Sequence, residues 1–515
     1  MKFKLGNRDS VGALAMAGSR RRFRDWAVEM YLWGQRRKWP LPAARRIMRK
    51  VCARQLDQMI PDRTDEWRLP FSWDVRGDGA ARSPGSSPAL SAVSTASGPP
   101  IRLMREPLRP DVRPRLRCVV ATGTLKLGGQ EMVALFLARG LPSHGLDTVI
   151  AHTPWGQSDE VTADSLRLDG VPVVKLNQQD VDQWLATNRP DVVSIHGAPD
   201  WFVAAAVAAR IPIIETLHGA SFLFDRAIWP REQLRSRHIA GFVAVSELVR
   251  RQYLRSNPGY PPDRVITIPN GVDCQHIGHK DRLQARAWLG LRDEFLFISL
   301  ARYALQKNTF GLVAAFPDVV RAYPEARLLC AGFVGELSYF EQVRQLRDGL
   351  PCADQIHLCG PCPDVSAVLA AADAFVLNSF FEGWSMASME AIFTGLPAIL
   401  SETGGAREQV GENGRRGLLV ENPLGNPEAI DWRSIRRVRF RSQVNRSALV
   451  EAMCAVIRER DRWRNAREEL REEAMNRFSV DLCVQCHAKV LTRAAQVRLA
   501  ANDARVGFGA LEASA

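Results

Sequence analysis

Residues 374–391 read AFVLNSFFEGWSMASMEA. The run Ala374–Asn378 is apolar without polar alternation, as in a strand covered on both faces of a parallel sheet. Ser385 suits the N-cap of a helix that follows at once. Glu382 therefore falls in the strand-to-helix turn and Glu390 within the helix. The free N–H groups and positive dipole end of that helix form a ready anion site. Two carboxylates eight residues apart lie roughly 12 Å apart along a helix. That is too far for the close acid pair of a retaining hydrolase, but it suits gripping two parts of one extended ligand. Such a spacing alone is weak, and two acids on a solvated helix would look the same. Its place directly after a buried strand singles it out.

Outward from this stretch, short apolar runs alternate with helix-length segments. A first series is Leu116–Ala121, Thr148–Ala151, Val171–Leu176, Asp191–His196, Pro212–Leu217, Gly241–Ser246 and Val265–Pro269. A second is Phe295–Ala301, Ala326–Ala331, Gln355–Cys359, Ala374–Asn378, Pro397–Leu400 and Gly417–Val420. Runs of this length, rich in Val, Ile and Leu, fit strand–helix–strand crossovers. The fold class is therefore α/β, with two doubly wound, Rossmann-like domains divided near residues 274–292. Ligands bind such sheets at the carboxyl ends of the strands, where the two domains would face each other across a cleft.

The expected organisation is a basic helical extension over 1–82 and a Ser/Pro/Ala/Gly linker over 83–114. The first Rossmann-like domain, on the acceptor side, spans 115–280 and the second, on the donor side, 281–480. A terminal helix over 481–500 returns to the first domain, and 501–515 is a frayed tail. Residues 424–446 look like a basic surface insertion.

A chain of 515 residues suggests two to four domains. Its net charge of +13 is uneven. Residues 1–54 hold fifteen Lys and Arg against Asp9, Asp25 and Glu29, a balance of +12. The body is near neutral, so no nucleic-acid partner is expected, while the N-terminus could meet an anionic membrane surface. Phe23, Trp26, Ala27 and Met30 keep helical spacing among basic residues, which suits a membrane interface. A helical appendage packed on the body would read the same way. No apolar run is long enough for a transmembrane helix. Ten scattered Cys fit a reducing compartment rather than a disulfide framework. The expected location is cytoplasmic, including the inner face of the membrane.

The stretch Phe381–Ala391 resembles the Glu-x7-Glu signature of glycosyltransferase family 4, retaining enzymes of the GT-B fold. Further matches follow in order. Gly128-Gly129-Gln130-Glu131 is similar to the family's loop after its first strand, and Thr216-Leu217-His218-Gly219 to its histidine segment. Val245-Ser246 and Pro269-Asn270-Gly271-Val272-Asp273 match the end of the first domain. Arg302 and Lys307 match its basic pair, and Leu396-Pro397 and Thr403-Gly404-Gly405-Ala406-Arg407-Glu408 follow the signature. The resemblance covers about residues 115–495. Asn378 stands where the family often has Pro, and Trp384-Ser385 where Phe-Gly is common.

The resemblance implies a nucleotide-sugar donor and a saccharide or lipid-linked saccharide acceptor, in polysaccharide or glycolipid assembly. Glu390 would hold ribose hydroxyls, and Glu382 a hydroxyl of the donor sugar. Backbone amides at Gly383, Trp384, Ser385 and Met386 would meet sugar hydroxyls and the diphosphate. Arg302 and Lys307 would bind the diphosphate, so that no metal or other cofactor is required. Gly128 and Gly129 would let the backbone come close to substrate, and His218 would sit beside the donor sugar. A solvated basic turn and a structural histidine remain the plain alternatives; His196 reads as acceptor-side or structural. A catalytically silent GT-B scaffold and a GT-B sugar-nucleotide epimerase are the rival functions. Cys359-Gly360-Pro361-Cys362 and Cys483-Val484-Gln485-Cys486-His487 match redox and haem-attachment patterns, but neither has the setting such a site needs.

Overall fold

The computed structural model describes residues 115–512 apart from 126–127, 154–165, 168, 220–228, 274–276 and 278–279. The expected basic extension, the linker and the membrane-facing role of residues 1–54 lie outside the described residues.

Thirteen strands form two sheets among the described residues. The first contains β1 (Leu116–Thr122), β2 (Leu146–His152), β3 (Val173–Lys175), β4 (Val192–His196), β5 (Ile213–Leu217), β6 (Gly241–Ala244) and β7 (Val265–Thr267). Their order is β3-β2-β1-β4-β5-β6-β7, every pair parallel. The second contains β8 (Phe295–Leu300), β9 (Ala326–Ala331), β10 (Ile356–Cys359), β11 (Ala374–Leu377), β12 (Ala398–Ser401) and β13 (Gly417–Val420). Its order is β10-β9-β8-β11-β12-β13, again parallel throughout. The strand order reverses between β1 and β4 and between β8 and β11. A doubly wound sheet opens its ligand crevice at such points.

Continuous apolar runs make these strands because both faces are covered. Val120, Val192 and Ile195 are fully buried in the first sheet, and Phe297, Ile298, Phe375, Val376 and Ile399 in the second. The helix Arg282–Trp288 packs on the helix Val365–Ala371 and so belongs with the second sheet.

The helix Val480–Glu512 crosses back to the first sheet. Val484, Leu491 and Ala495 join Val133, Leu137 and Leu141 in one core cluster. The helices meet closely at Gly140, where an added Cβ would lie 2.8 Å from Val484 Cγ1. The expected tail over 501–515 is corrected here, because the helix runs on to Glu512. Ala, Leu, Arg and Glu are strong helix formers, and no proline interrupts them.

The segment 424–446 is also not a mere surface insertion. Ile435 is fully buried within the short helix Trp432–Val438, and Trp432 meets Phe381 edge-on. Gln443 and Asn445 are buried as well. Arg-rich composition hid one apolar anchor and two amides that face inward.

Candidate active site in the inter-domain cleft

The loop after β8 and the loop after β11 meet in one ion pair. Lys307 Nζ lies 2.6 Å from Glu382 Oε1, and Ser379 donates to the same oxygen at 2.6 Å. Both charged side chains are largely buried, at 16% and 9% exposure. An amide network fixes the turn that carries Lys307. Asn308 sits in the left-handed region at φ 53° and caps the helix Thr309–Ala322. Its Nδ2 donates to the Asn378 carbonyl at 2.8 Å and to Gln443 Oε1 at 2.8 Å. Asn445 Nδ2 donates to Asn378 Oδ1 at 2.8 Å. Asn378 thus braces the loops from within, supporting Lys307 and Glu382 rather than facing a ligand itself.

The turn from Glu382 to Ser385 is wedged from both sides. Gly405 donates to the Gly383 carbonyl at 2.9 Å, and Gly404, at φ 44°, leaves no room for a side chain against that turn. The Trp384 indole is buried against Gly405 and Phe478, so whatever Trp384 offers a ligand comes from its backbone. Ser385 caps the helix Met386–Phe393 by accepting from Ser388 N. Among the described residues, no acceptor meets the N–H groups of Gly383, Trp384, Ser385 or Met386. Four free amides beside a helix N-terminus favour a hydroxyl-rich or anionic group.

The first sheet supplies the opposite wall. An ideal Cβ at Gly383 would fall 1.8 Å from the His218 carbonyl oxygen at the end of β5. A Cβ at Gly129 would stand 3.5 Å from Met386 Cγ. Glu390 lies one helical turn beyond Met386 on the same face. Its side chain has no hydrogen bond or ion pair among the described residues, and burial lifts its carboxyl to about 7. Gly128 caps the helix Gly129–Gly140. Burial raises the Glu131 carboxyl in that helix, while Arg302 across the cleft draws it back. Arg302 is exposed and forms no ion pair among the described residues.

Three imidazoles line the base of the first sheet's side. Ser194 Oγ is 3.0 Å from His196 Nε2, and His196 Nδ1 is 2.8 Å from His218 Nε2. His487, from the terminal helix, lies 6.4 Å from His196 between ring centroids. Burial lowers His218 to about 3, with His487 adding to the effect, and lowers His487 to about 4. His196 is depressed as well, first by burial and then by its two neighbours. All three rings are therefore neutral near pH 7.

Every residue singled out in the sequence for this site stands at a strand's carboxyl end or in the segment that follows it. Sequence reasoning missed Ser379, Ser194 and the Asn308–Asn378–Gln443–Asn445 network. It set His487 aside with the Cys-x-x-Cys-His pattern; a histidine in a helix bound for the first sheet was its only signal. In each cysteine pattern the first thiol is buried and inert. Cys359 is buried and pushed up to about 12, and its backbone is pinned by Tyr303 Oη at 2.9 Å. Burial pushes Cys483 to about 11.

Residues 127–276 match the family described as Glycosyltransferase Family 4, and residues 281–439 the family Glycosyl transferases group 1. A D-inositol 3-phosphate glycosyltransferase of Frankia alni is 26% identical over 373 residues, 64% of this chain and 91% of that protein. A D-inositol 3-phosphate glycosyltransferase of Catenulispora acidiphila is 30% identical over 295 residues, 53% of this chain and 69% of that protein. Among solved structures, HepE of Anabaena in complex with UDP superposes with a TM-score of 0.62 at 18% identity, covering 73% of this chain and all of that one.

Proposed function

Since the chain belongs to glycosyltransferase family 4 and is a GT-B glycosyltransferase, we propose that it moves a sugar from a nucleoside diphosphate donor to a hydroxyl acceptor with retention at the anomeric carbon. The observation that carries the donor assignment is Glu390. Among the described residues it is a carboxylate lifted by burial and without a protein partner for its side chain, one turn beyond four free backbone amides. A pair of ribose hydroxyls would satisfy it. The amides from Gly383 to Met386 would receive the diphosphate and sugar hydroxyls, and Glu382 a further hydroxyl of the donor sugar. Arg302 and Lys307 would gather charge on the leaving diphosphate. On this reading these side chains serve the diphosphate without a metal or other cofactor.

HepE was crystallised with UDP, and that likeness supports a nucleotide donor. Retention follows when the acceptor hydroxyl enters on the face the leaving group quits, its proton passing to the departing phosphate oxygen. The acceptor is a saccharide or a lipid-linked saccharide, in polysaccharide or glycolipid assembly. The basic, Trp-bearing residues 1–54 support action at the inner face of a membrane, on the cytoplasmic side. Among the described residues no helix is long and apolar enough to cross a membrane.

The test is thermal unfolding with UDP, GDP, ADP and dTDP, beside Glu390→Ala. A nucleotide at a hundred times its dissociation constant adds about 2.7 kcal/mol. One nucleotide stabilising the wild type and not the variant supports the reading. No response from any nucleotide, with no sugar transfer from their sugar conjugates, removes it in favour of a silent scaffold.

A further inference from the structure

Residues two apart on a strand share a face, which brings Ser194 and His196 together on β4. The next strand, β5, ends where His218 begins, and the three side chains form a single line of hydrogen bonds. Ser194 and His196 are both fully buried. That line can run in either of two directions, and the choice fixes what His218 presents to the cleft.

A neutral imidazole has one N–H and one lone pair. In one direction His218 donates from Nε2 to His196 Nδ1, and His196 donates from Nε2 to Ser194 Oγ. The Ser194 hydroxyl hydrogen then has no acceptor, since its side chain meets no other polar group among the described residues. In the other direction Ser194 donates to His196 Nε2, and His196 Nδ1–H donates to His218 Nε2. Every enclosed hydrogen is then used, and the His218 hydrogen must sit on Nδ1. A buried hydroxyl left unmet favours the second arrangement by about tenfold or more.

We infer that Ser194 and His196 are positioning residues that hold His218 as its Nδ1–H tautomer, so that the ring offers a hydrogen-bond donor to an oxygen of the donor sugar. This rests on the glycosyltransferase reading of the cleft. His218 is the one partly exposed ring of the three, and its Nδ1 meets no partner among the described residues. His487 covers the line from the terminal helix. It is fully buried, and neither of its ring nitrogens is hydrogen-bonded among the described residues, so it does not compete for His196 Nδ1. No carboxylate or guanidinium is hydrogen-bonded to any of the three rings among the described residues. The line is therefore uncharged, and His218 acts as a donor of a hydrogen bond rather than as a base. A sugar lacking an oxygen at that position would leave the N–H unmet.

The experiment is 15N spectroscopy of the full chain labelled at histidine, near pH 7 and without substrate. Resonances are assigned by removing one histidine at a time. The wild type is expected to show His218 protonated on Nδ1 in about tenfold excess or more. Ser194→Ala is expected to bring both tautomers to comparable amounts, and Ser194→Thr to restore the excess. A wild-type His218 protonated on Nε2 overturns the inference. So does a Ser194→Ala protein, shown folded by its melting curve, whose tautomers are unchanged. The readout does not depend on turnover. An active enzyme with His218 protonated on Nε2 loses this inference and keeps the proposed function. An Nδ1 proton in a protein that transfers no sugar keeps the hydrogen-bond polarity and loses the proposed function.

Discussion

The carbonyl oxygen of His218 occupies the space that a side chain at Gly383 would need, since an ideal Cβ there would fall 1.8 Å from it. One backbone contact thus sets the spacing between the strand end that bears His218 and the turn that bears Glu382. Neither partner is a flexible side chain that could move aside. Gly404 closes the other side, where a Cβ would come within 2.3 Å of the Gly383 carbonyl oxygen.

Gly383→Ala should therefore push the two sheets apart at the cleft. A displacement of about 1 Å at reacting groups costs on the order of a hundredfold in rate, and overpacking costs about 1–3 kcal/mol. Sugar transfer measured beside thermal unfolding checks this. Wild-type turnover in Gly383→Ala would show that the close approach is not needed for catalysis.

Lys307 and Glu382 should prove coupled in stability and in activity, with different signatures. Either single change, Lys307→Ala or Glu382→Gln, leaves a largely buried partner without its counterpart. Breaking such a pair costs about 3 kcal/mol. The double variant removes both demands and should recover more than half of that loss. Transfer should remain low in all three, because both groups also face the donor. Denaturant unfolding of the four proteins gives the coupling directly. Additive losses would mean that the 2.6 Å contact contributes nothing.

Arg302 tells the opposite story. It is exposed and holds no ion pair among the described residues. Arg302→Ala should leave stability within about 0.5 kcal/mol of wild type, while transfer falls by about a hundredfold or more, as when a preorganised charge is lost from a leaving group. A large drop in melting temperature would show instead that Arg302 supports the fold, through Glu131 across the cleft.

Much of this was legible in the sequence because buried parallel strands leave an unmistakable trace. Runs such as Phe295–Leu300 and Ala374–Leu377 are apolar on both faces, and each falls where the sequence puts it. The candidate residues were legible for a related reason: they sit at the ends of those strands, where side chains leave the core. Illegible were partners that act through distant positions. Gln443 braces Asn308 from 135 residues away, and nothing in its Arg-rich surroundings distinguishes it. Ser194 is one small polar residue in a hydrophobic strand, and only its alignment with His196 and His218 gives it meaning. The extent of the terminal helix was missed because Ala-rich termini read as loose whether or not they are helical.

Glu390 should make stability depend on pH in an unusual direction. In the unfolded chain its carboxyl titrates near 4.5, and in the folded protein near 7, because burial is not offset by any partner. Between those values the folded state holds a proton that the unfolded state has released. Stability from this group is therefore full below about 4.5 and is lost as the pH rises through about 7. A fully enclosed carboxyl with this shift would contribute about 3 kcal/mol; solvent still reaches Glu390, so about 1–2 kcal/mol is expected. Glu390→Gln should match the wild type at pH 4.5 and exceed it at pH 8. Nucleotide binding should run the other way, since ribose hydroxyls donate to the ionised carboxylate. The affinity for the stabilising nucleotide should tighten from pH 6 to pH 8 in the wild type and stay flat in Glu390→Gln. Parallel stability curves for the two proteins across that range would show that Glu390 is already ionised in the empty cleft, and nucleotide affinity would then not tighten with pH through this group.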